Sequence, residues 1–377
     1  MANSINEKIW LSSPHMGGAE QGFVKEAFDT NWIAPLGPNV TEFENAIASF
    51  VQNDTHAACL SSGTGAIHLA LELLDVKHGD EVLCQSFTFS ASANPILYLG
   101  AKPVFIDSEF ATWNMCPDLL EKAIIAGIDK GKKPKAIIAV HLYGMPYNTK
   151  RISELSNTYD IPVIEDSAEA LGSHVGGIKC GSFGTLGILS FNGNKIITTS
   201  GGGALLTKKK ELKDKAIFLA TQARDDAPHY QHSHVGYNYR MSNVLAGIGR
   251  GQMQVLQDRV SARRANFNYY KKHLSLYTEL SFLEEVPGSY SNRWLSCILT
   301  GSYEMREKIR LTLAEENIES RPLWKPMHLQ PIFSKADRFE NGVSESLFEK
   351  GLCLPSGSNL TEGDLNKVCE LIKKALK

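Results

Sequence analysis

The chain has 377 residues, 43% of them hydrophobic and 21% charged, an ordinary globular composition at a length that suits two domains better than one simple core. Its formal net charge is −2, so no overall field draws it to nucleic acid or to an anionic membrane, and neither is expected as a partner. The seven cysteines, at 59, 84, 116, 180, 297, 353 and 369, are odd in number, scattered and without a Cys-x-x-Cys pair, which argues against a disulfide framework and against a zinc site.

Residues 1–8 show no apolar run after a basic start, and no stretch reaches the roughly 18 uninterrupted apolar residues of a membrane span, so a cytoplasmic location is expected. From about Glu20 to Lys213, short β-rich runs alternate with helical patterns. The runs fall at 57–60, 82–84, 103–107, 136–141, 163–165, 187–191 and 204–207. That rhythm predicts a three-layer α/β domain with a largely parallel sheet covered on both faces. The first run leads into Ser61-Ser62-Gly63-Thr64-Gly65, followed by Ile67, Ala70, Leu71 and Leu74 at helical spacing. Hydroxyls and glycines at a helix N-terminus suit a phosphate, although the same residues are also an ordinary cap. The second run leads to Gln85-Ser86-Phe87-Thr88-Phe89, where Phe89 could stack on a flat ring or serve only as core. The β-branched run at 163–165 delivers Asp166 at a strand end, the place where open parallel sheets put ligand chemistry.

Next comes Phe191-Asn192-Gly193-Asn194-Lys195, with Gly201-Gly202-Gly203 before the last run. This fixes Lys195 in a loop between two buried strands. Desolvation favours the neutral form of an amine, and that form condenses with an aldehyde. Taken singly, each feature reads as structural. Taken together and in this order, an anion site, a stacking face, an acid and an amine are the parts that hold pyridoxal 5′-phosphate (PLP). After Ser242 a long helical stretch runs towards Leu274. Gly247, Gly249 and Gly251 within it follow no strand, so close helix packing explains them better than a nucleotide fingerprint. His232 and His234 have no acid or cysteine spaced to complete a metal site, and none is expected. The stretch is expected to link a large domain, residues 1–255, to a smaller C-terminal α/β domain, residues 256–377, on which the N-terminal 15 or so residues pack.

Almost the whole chain resembles the DegT/StrS-type aminotransferases that act on nucleotide-linked keto sugars. The resemblance is carried by Asn31-Trp32-Ile33-Ala34-Pro35-Leu36-Gly37-Pro38, by Val163 through Gly172, by the Lys195 loop, by Gly236-Tyr237-Asn238-Tyr239-Arg240 and by Arg321-Pro322-Leu323-Trp324-Lys325-Pro326-Met327-His328. It looks closest to the branch that aminates UDP-linked 4-keto-6-deoxy-N-acetylhexosamine in bacillosamine-type and exopolysaccharide pathways. The resemblance implies an aspartate-aminotransferase-like fold (PLP fold type I) and PLP as cofactor, with glutamate and a nucleotide-linked keto sugar as substrates. It places the Schiff-base lysine on Lys195, the pyridine-nitrogen acid on Asp166, the phosphate hydroxyl on Ser190 and backbone phosphate contacts on Gly63 and Thr64. It sets Phe89 against the ring and Glu169 near the ring hydroxyl, where many relatives carry glutamine or histidine. It also implies a homodimer in which Asn238 reaches the partner's cofactor, and it offers Trp32, Arg240, Arg321, Lys325 and His328 to the substrate. A PLP-dependent sugar dehydratase would carry histidine where Lys195 stands; a PLP-binding sensor of the same fold is the other alternative.

Overall fold

The computed structural model describes residues 7–52 and 54–377. In chain order the helices are α1 (Glu20–Asp29), α2 (Pro38–Val51), α3 (Gly63–Leu73), α4 (Asn94–Tyr98), α5 (Pro117–Asp129), α6 (Thr149–Tyr159), α7 (Lys210–Ala220), α8 (Asn243–Gln254), α9 (Leu256–Leu274), α10 (Tyr303–Glu315), α11 (Val343–Lys350) and α12 (Glu362–Leu376). The strands are β1 (His56–Leu60), β2 (Glu81–Gln85), β3 (Lys102–Ile106), β4 (Ala136–Val140), β5 (Val163–Asp166), β6 (His174–Val175), β7 (Ile178–Lys179), β8 (Leu186–Ser190), β9 (Gly203–Thr207), β10 (Ser281–Phe282), β11 (Ser289–Tyr290), β12 (Ser296–Leu299), β13 (Arg321–Pro322), β14 (Asp337–Phe339) and β15 (Gly351–Leu354).

Among the described residues, the large sheet has eight strands in the order β1-β9-β8-β5-β4-β2-β3-β14. Every contact from β8 to β14 is parallel. Only β9 runs against its two neighbours, because it returns directly from β8 through the lysine loop. The expected α/β architecture is thus present. Its physical basis is visible in β4, Ala-Ile-Ile-Ala-Val, which is buried along its length. Ile138 joins one apolar cluster with residues of α3 and α7, while Ile137 and Ala139 join another with residues of α5 and α6. Successive side chains point to opposite faces, so a strand covered on both sides must be apolar at every position.

The helical stretch after Ser242 is two helices and not one, α8 and α9, interrupted at Val255 (φ −111°). A Cβ on Gly249 would stand 2.6 Å from the Phe43 ring, and one on Gly251 would stand 2.7 Å from the backbone nitrogen of Glu20. The glycines therefore let α8 lie directly on α1 and α2, as the close-packing reading requires.

The C-terminal region forms its own antiparallel sheet, β10-β12-β15-β13. Residues of α9, α10 and α12 pack with that sheet into one apolar cluster that also takes Ile9. Of the N-terminal residues expected on this domain, 1–6 lie outside the described residues. From Ile9, which bridges Ile318, the strap continues to Leu11, whose carbonyl accepts from the Ser356 N–H (2.8 Å). A cut at 255/256 does not separate the sheets: β14 adds to the edge of the large sheet beside β3, and β11 pairs with β6. Among the described residues, no helix is long and apolar enough to cross a membrane.

Candidate active site

Four elements end together at the C-terminal edge of the parallel strands: the β1–α3 turn, the segment after β2, the end of β5 and the β8–β9 loop. They enclose a cavity of about 220 Å³ lined by Gly63, Thr64, Phe89, Asp166, Glu169, Ser190 and Lys195 among others. The Oγ of Ser62 caps α3 by accepting from the Gly65 N–H (2.9 Å). The earlier N–H groups, on Gly63 and Thr64, have no intrahelical acceptor and carry the positive end of the helix dipole. Ser190, the last residue of β8, faces the same turn. A Cβ on Gly203 would collide with the Ser62–Gly63 backbone, so only glycine lets the returning strand lie this close.

Asp166 is buried and its two oxygens are held separately. Oδ2 accepts from Ser92 Oγ (2.7 Å), and Oδ1 accepts from the Ala168 N–H (3.1 Å). Ser92 spends its proton on Asp166, so the 2.8 Å contact between Thr88 Oγ1 and Ser92 Oγ has Thr88 as donor. Strand alternation sends the neighbouring Glu165 away from the cavity. There its carboxylate accepts from His141 Nε2 (2.7 Å) and from the N–H groups of Gly181, Phe183 and Gly184 (2.6, 2.7 and 2.9 Å). Burial alone would raise the Glu165 pKa, but His141 and these donors bring it below the usual carboxylate range. The Tyr147 N–H donates to His141 Nδ1 (3.1 Å), which fixes the ring proton on Nε2.

The Lys195 N–H donates to the Asn192 carbonyl (3.0 Å), turning the loop back on itself. Its Nζ lies 3.4 Å from Glu169 Oε1 and 4.2 Å from the centre of the Trp294 ring, an ion pair and a cation–π contact in one low-dielectric place. Glu169 Oε2 accepts from the Tyr143 N–H (2.7 Å). Burial raises the Glu169 pKa, against the opposing pull of the Lys195 charge and that N–H. Phe89 stands at the mouth, 52% exposed, its ring centre 5.4 Å from that of Trp324.

Sequence reading missed Ser92, Tyr143, Trp294 and Trp324 as parts of this site. No pattern flags Trp294, which comes from a loop about 100 residues after Lys195. Tyr143 stands at a positive φ of 55°, which only the structure shows, and its hydroxyl accepts from the Trp324 N–H (2.8 Å).

Six of the expected residues lie outside the lining of this cavity. Arg240 is paired with Glu44 and also donates to the Cys59 carbonyl (2.9 Å), both side chains being 10% exposed. This guanidinium holds the edge of β1 and is not free for substrate. His328 is also engaged, its Nδ1 2.6 Å from Ser86 Oγ and its Nε2 3.1 Å from Glu345. It ties the end of β2 to α11 because its ring is buried between them. Arg321 is exposed and pairs with Glu319 (2.7 Å). Trp32 is 40% exposed, and its carbonyl accepts from Asn243 Nδ2 (3.1 Å). Lys325 and Asn238 are exposed.

The donor set fits PLP. The free N–H groups opening α3 and the Ser190 hydroxyl suit a phosphate dianion. Asp166, held from two sides, keeps lone pairs for a ring N–H, and Lys195 supplies an amine. Because Gly203 excludes a Cβ, the backbone can close on the phosphate end.

The DegT/DnrJ/EryC1/StrS aminotransferase family model matches residues 14–373. The chain is 52% identical over 372 residues to the Bacillus subtilis (strain 168) protein EpsN, named as a pyridoxal phosphate-dependent aminotransferase, covering 98% of this chain and 96% of EpsN. It is 37% identical over 367 residues to the GDP-perosamine synthase of Escherichia coli O157:H7, covering 97% and 98% of the two chains. Among solved structures it resembles Spr1654 of Streptococcus pneumoniae, named as a sugar aminotransferase and solved in its PLP form. The TM-score is 0.90 and the identity 26%, over 98% of this chain and all of that one.

Proposed function

Because this chain belongs to the DegT/DnrJ/EryC1/StrS aminotransferase family and is a PLP-dependent sugar aminotransferase, we propose that it moves an amino group from glutamate to C4 of a nucleotide-linked 4-keto-6-deoxy sugar, with a UDP-linked N-acetylhexosamine as acceptor. The observation that carries the transfer chemistry is the meeting of Lys195, Asp166 and the α3 N-terminus around one cavity. The UDP-sugar reading rests on the motif resemblance. The likeness to a GDP-perosamine synthase favours a GDP-linked sugar as second reading.

In this reading α3 and Ser190 would hold the phosphate, and Phe89 would lie against the ring. Asp166 keeps a proton on the ring nitrogen; Ser92 and the Ala168 N–H prevent its carboxylate from rotating away. PLP bound there would supply an aldehyde carbon and a ring able to accept electron density. Lys195 Nζ removes the proton from the donor's α-carbon and later delivers one to the aminated carbon. Glu169 and the Trp294 face keep Nζ on one side of the cavity, which fixes the face of delivery. Trp294 and Trp324 exclude water from that side. Lys325, exposed next to Trp324 in sequence, is available to the diphosphate. We propose a homodimer in which the exposed Asn238 serves the partner's phosphate site.

The test is product mass spectrometry with glutamate and a panel of UDP-, GDP- and dTDP-linked 4-keto-6-deoxy sugars. A mass change matching amine for ketone with the UDP-linked N-acetylhexosamine, at the highest kcat/KM, supports the proposal. Preference for the GDP sugar selects the second reading, and no turnover of any 4-keto sugar refutes both.

A further inference from the structure

Lys195 is held from outside its own domain. The carbonyl of Asn194, the residue before it, accepts two hydrogen bonds at 2.7 Å. One comes from Ser12 Oγ on the N-terminal strap, the other from Trp294 Nε1 in the C-terminal region. Both donors lead back to Arg263 on α9, whose guanidinium donates to the Trp294 carbonyl (2.6 Å) and to Ser12 Oγ (2.9 Å). The Trp294 side chain therefore anchors the loop with its N–H while its ring face lies 4.2 Å from Lys195 Nζ.

Arg263 is 1% exposed, and among the described residues no carboxylate pairs with it. Burial, helped by the charge of Arg259, pushes its pKa down to about 9. A buried cation without a counter-ion is costly, and a well-packed apolar side chain would serve stability as well or better. What the guanidinium provides is its fork, with two donors in fixed geometry, one on the Ser12 hydroxyl that holds the Asn194 carbonyl and one on the backbone carbonyl of Trp294, whose indole N–H holds it too.

We infer that Ser12 and Arg263 are positioning residues for Lys195. They form a clasp through which the strap and α9 of the smaller domain set where the amine stands in the large-domain cavity. The inference rests on the reading of Lys195 as the reacting amine. Strap and smaller domain are thereby part of the catalytic geometry, although neither Ser12 nor Arg263 reaches the cavity.

The experiment uses the full-length holoenzyme and compares Ser12→Ala with Ser12→Thr, which keeps the hydroxyl. Borohydride reduction and peptide mass spectrometry of the wild type come first, since a label anywhere but Lys195 would refute the active-site reading itself. With the label on Lys195, Ser12→Ala should lower kcat of the glutamate half-reaction roughly tenfold with KM within about twofold. It should also move the pH midpoint of the cofactor's visible absorption band by about half a unit or more. Ser12→Thr should restore both, with thermal midpoints alike in all three proteins. Arg263→Met should act in the same direction, and adding Ser12→Ala to it should cost little more, because both break one path. If Arg263→Met does not fold, the Ser12 pair still decides. Unchanged kcat and band midpoint in Ser12→Ala, equal losses in the alanine and threonine variants, or fully additive losses with Arg263→Met would each overturn the clasp.

Discussion

Replacing Arg240 by methionine separates a structural role from a substrate-binding one. The guanidinium pairs with Glu44 at 10% exposure of each side chain. Glu44 also accepts from the Cys59 N–H (2.7 Å), and Arg240 donates to the Cys59 carbonyl. The pair thus closes the outer edge of β1, three residues before the phosphate turn begins at Ser62. Removing one partner leaves a buried carboxylate without its cation, which costs about 3–5 kcal/mol. At roughly 2.1 cal/mol/K per residue over 377 residues, the midpoint should fall by about 4–6 °C. The double variant Arg240→Met/Glu44→Leu removes the stranded charge. It should recover all but about 1–2 kcal/mol, the cost of the Cys59 N–H that loses its acceptor. The assay is urea and thermal unfolding of both variants, with KM measured for glutamate and for the keto sugar. An unchanged midpoint in Arg240→Met together with a KM raised tenfold or more would refute this reasoning and return Arg240 to the substrate.

Lys195→Ala should abolish the borohydride-reducible link between cofactor and chain and lower turnover by about 10²–10⁴-fold; a retained covalent link would place the amine elsewhere. Asp166→Asn should keep the cofactor but lose about a hundredfold or more in the glutamate half-reaction, since a neutral amide cannot hold the ring nitrogen protonated; near-normal rates would rule out that role. The raised pKa of Glu169 means that the folded chain binds this proton more tightly than the unfolded chain does, because burial outweighs the pull of Lys195. Its contribution to stability is full below the ordinary glutamate range and is lost as pH rises through the folded value, so wild type minus Glu169→Gln stability should fall as pH rises from the ordinary glutamate range through the raised folded value. A difference that rises over that window in thermal scans of the cofactor-free protein would contradict the assignment. Lys195→Ala mixed with an inactive Asn238→Ala protein should regain one working site per heterodimer, and no recovery in confirmed heterodimers would place Asn238 outside the partner's site.

The amino-acid sequence by itself determined seven of the eight strands of the large sheet, β14 being the exception, and the loops that carry Gly63, Thr64, Phe89, Asp166 and Lys195, to which the family resemblance added Ser190. A strand covered on both faces must be apolar throughout, and the loops after such strands open at one edge of the sheet, so seven local runs suffice to bring those residues together. Local pattern has no reach beyond its own loop. Arg240 and His328 are charged or polar residues in the same motifs, yet Glu44 and Glu345 engage them, because which side chains meet is settled only when separate elements close on one another. Trp294 and Ser12 meet at the Asn194 carbonyl from 100 and 182 residues away in the chain. Only the packing of the N-terminal strap and the C-terminal region against the Lys195 loop turns an indole and a hydroxyl into the support of a lysine.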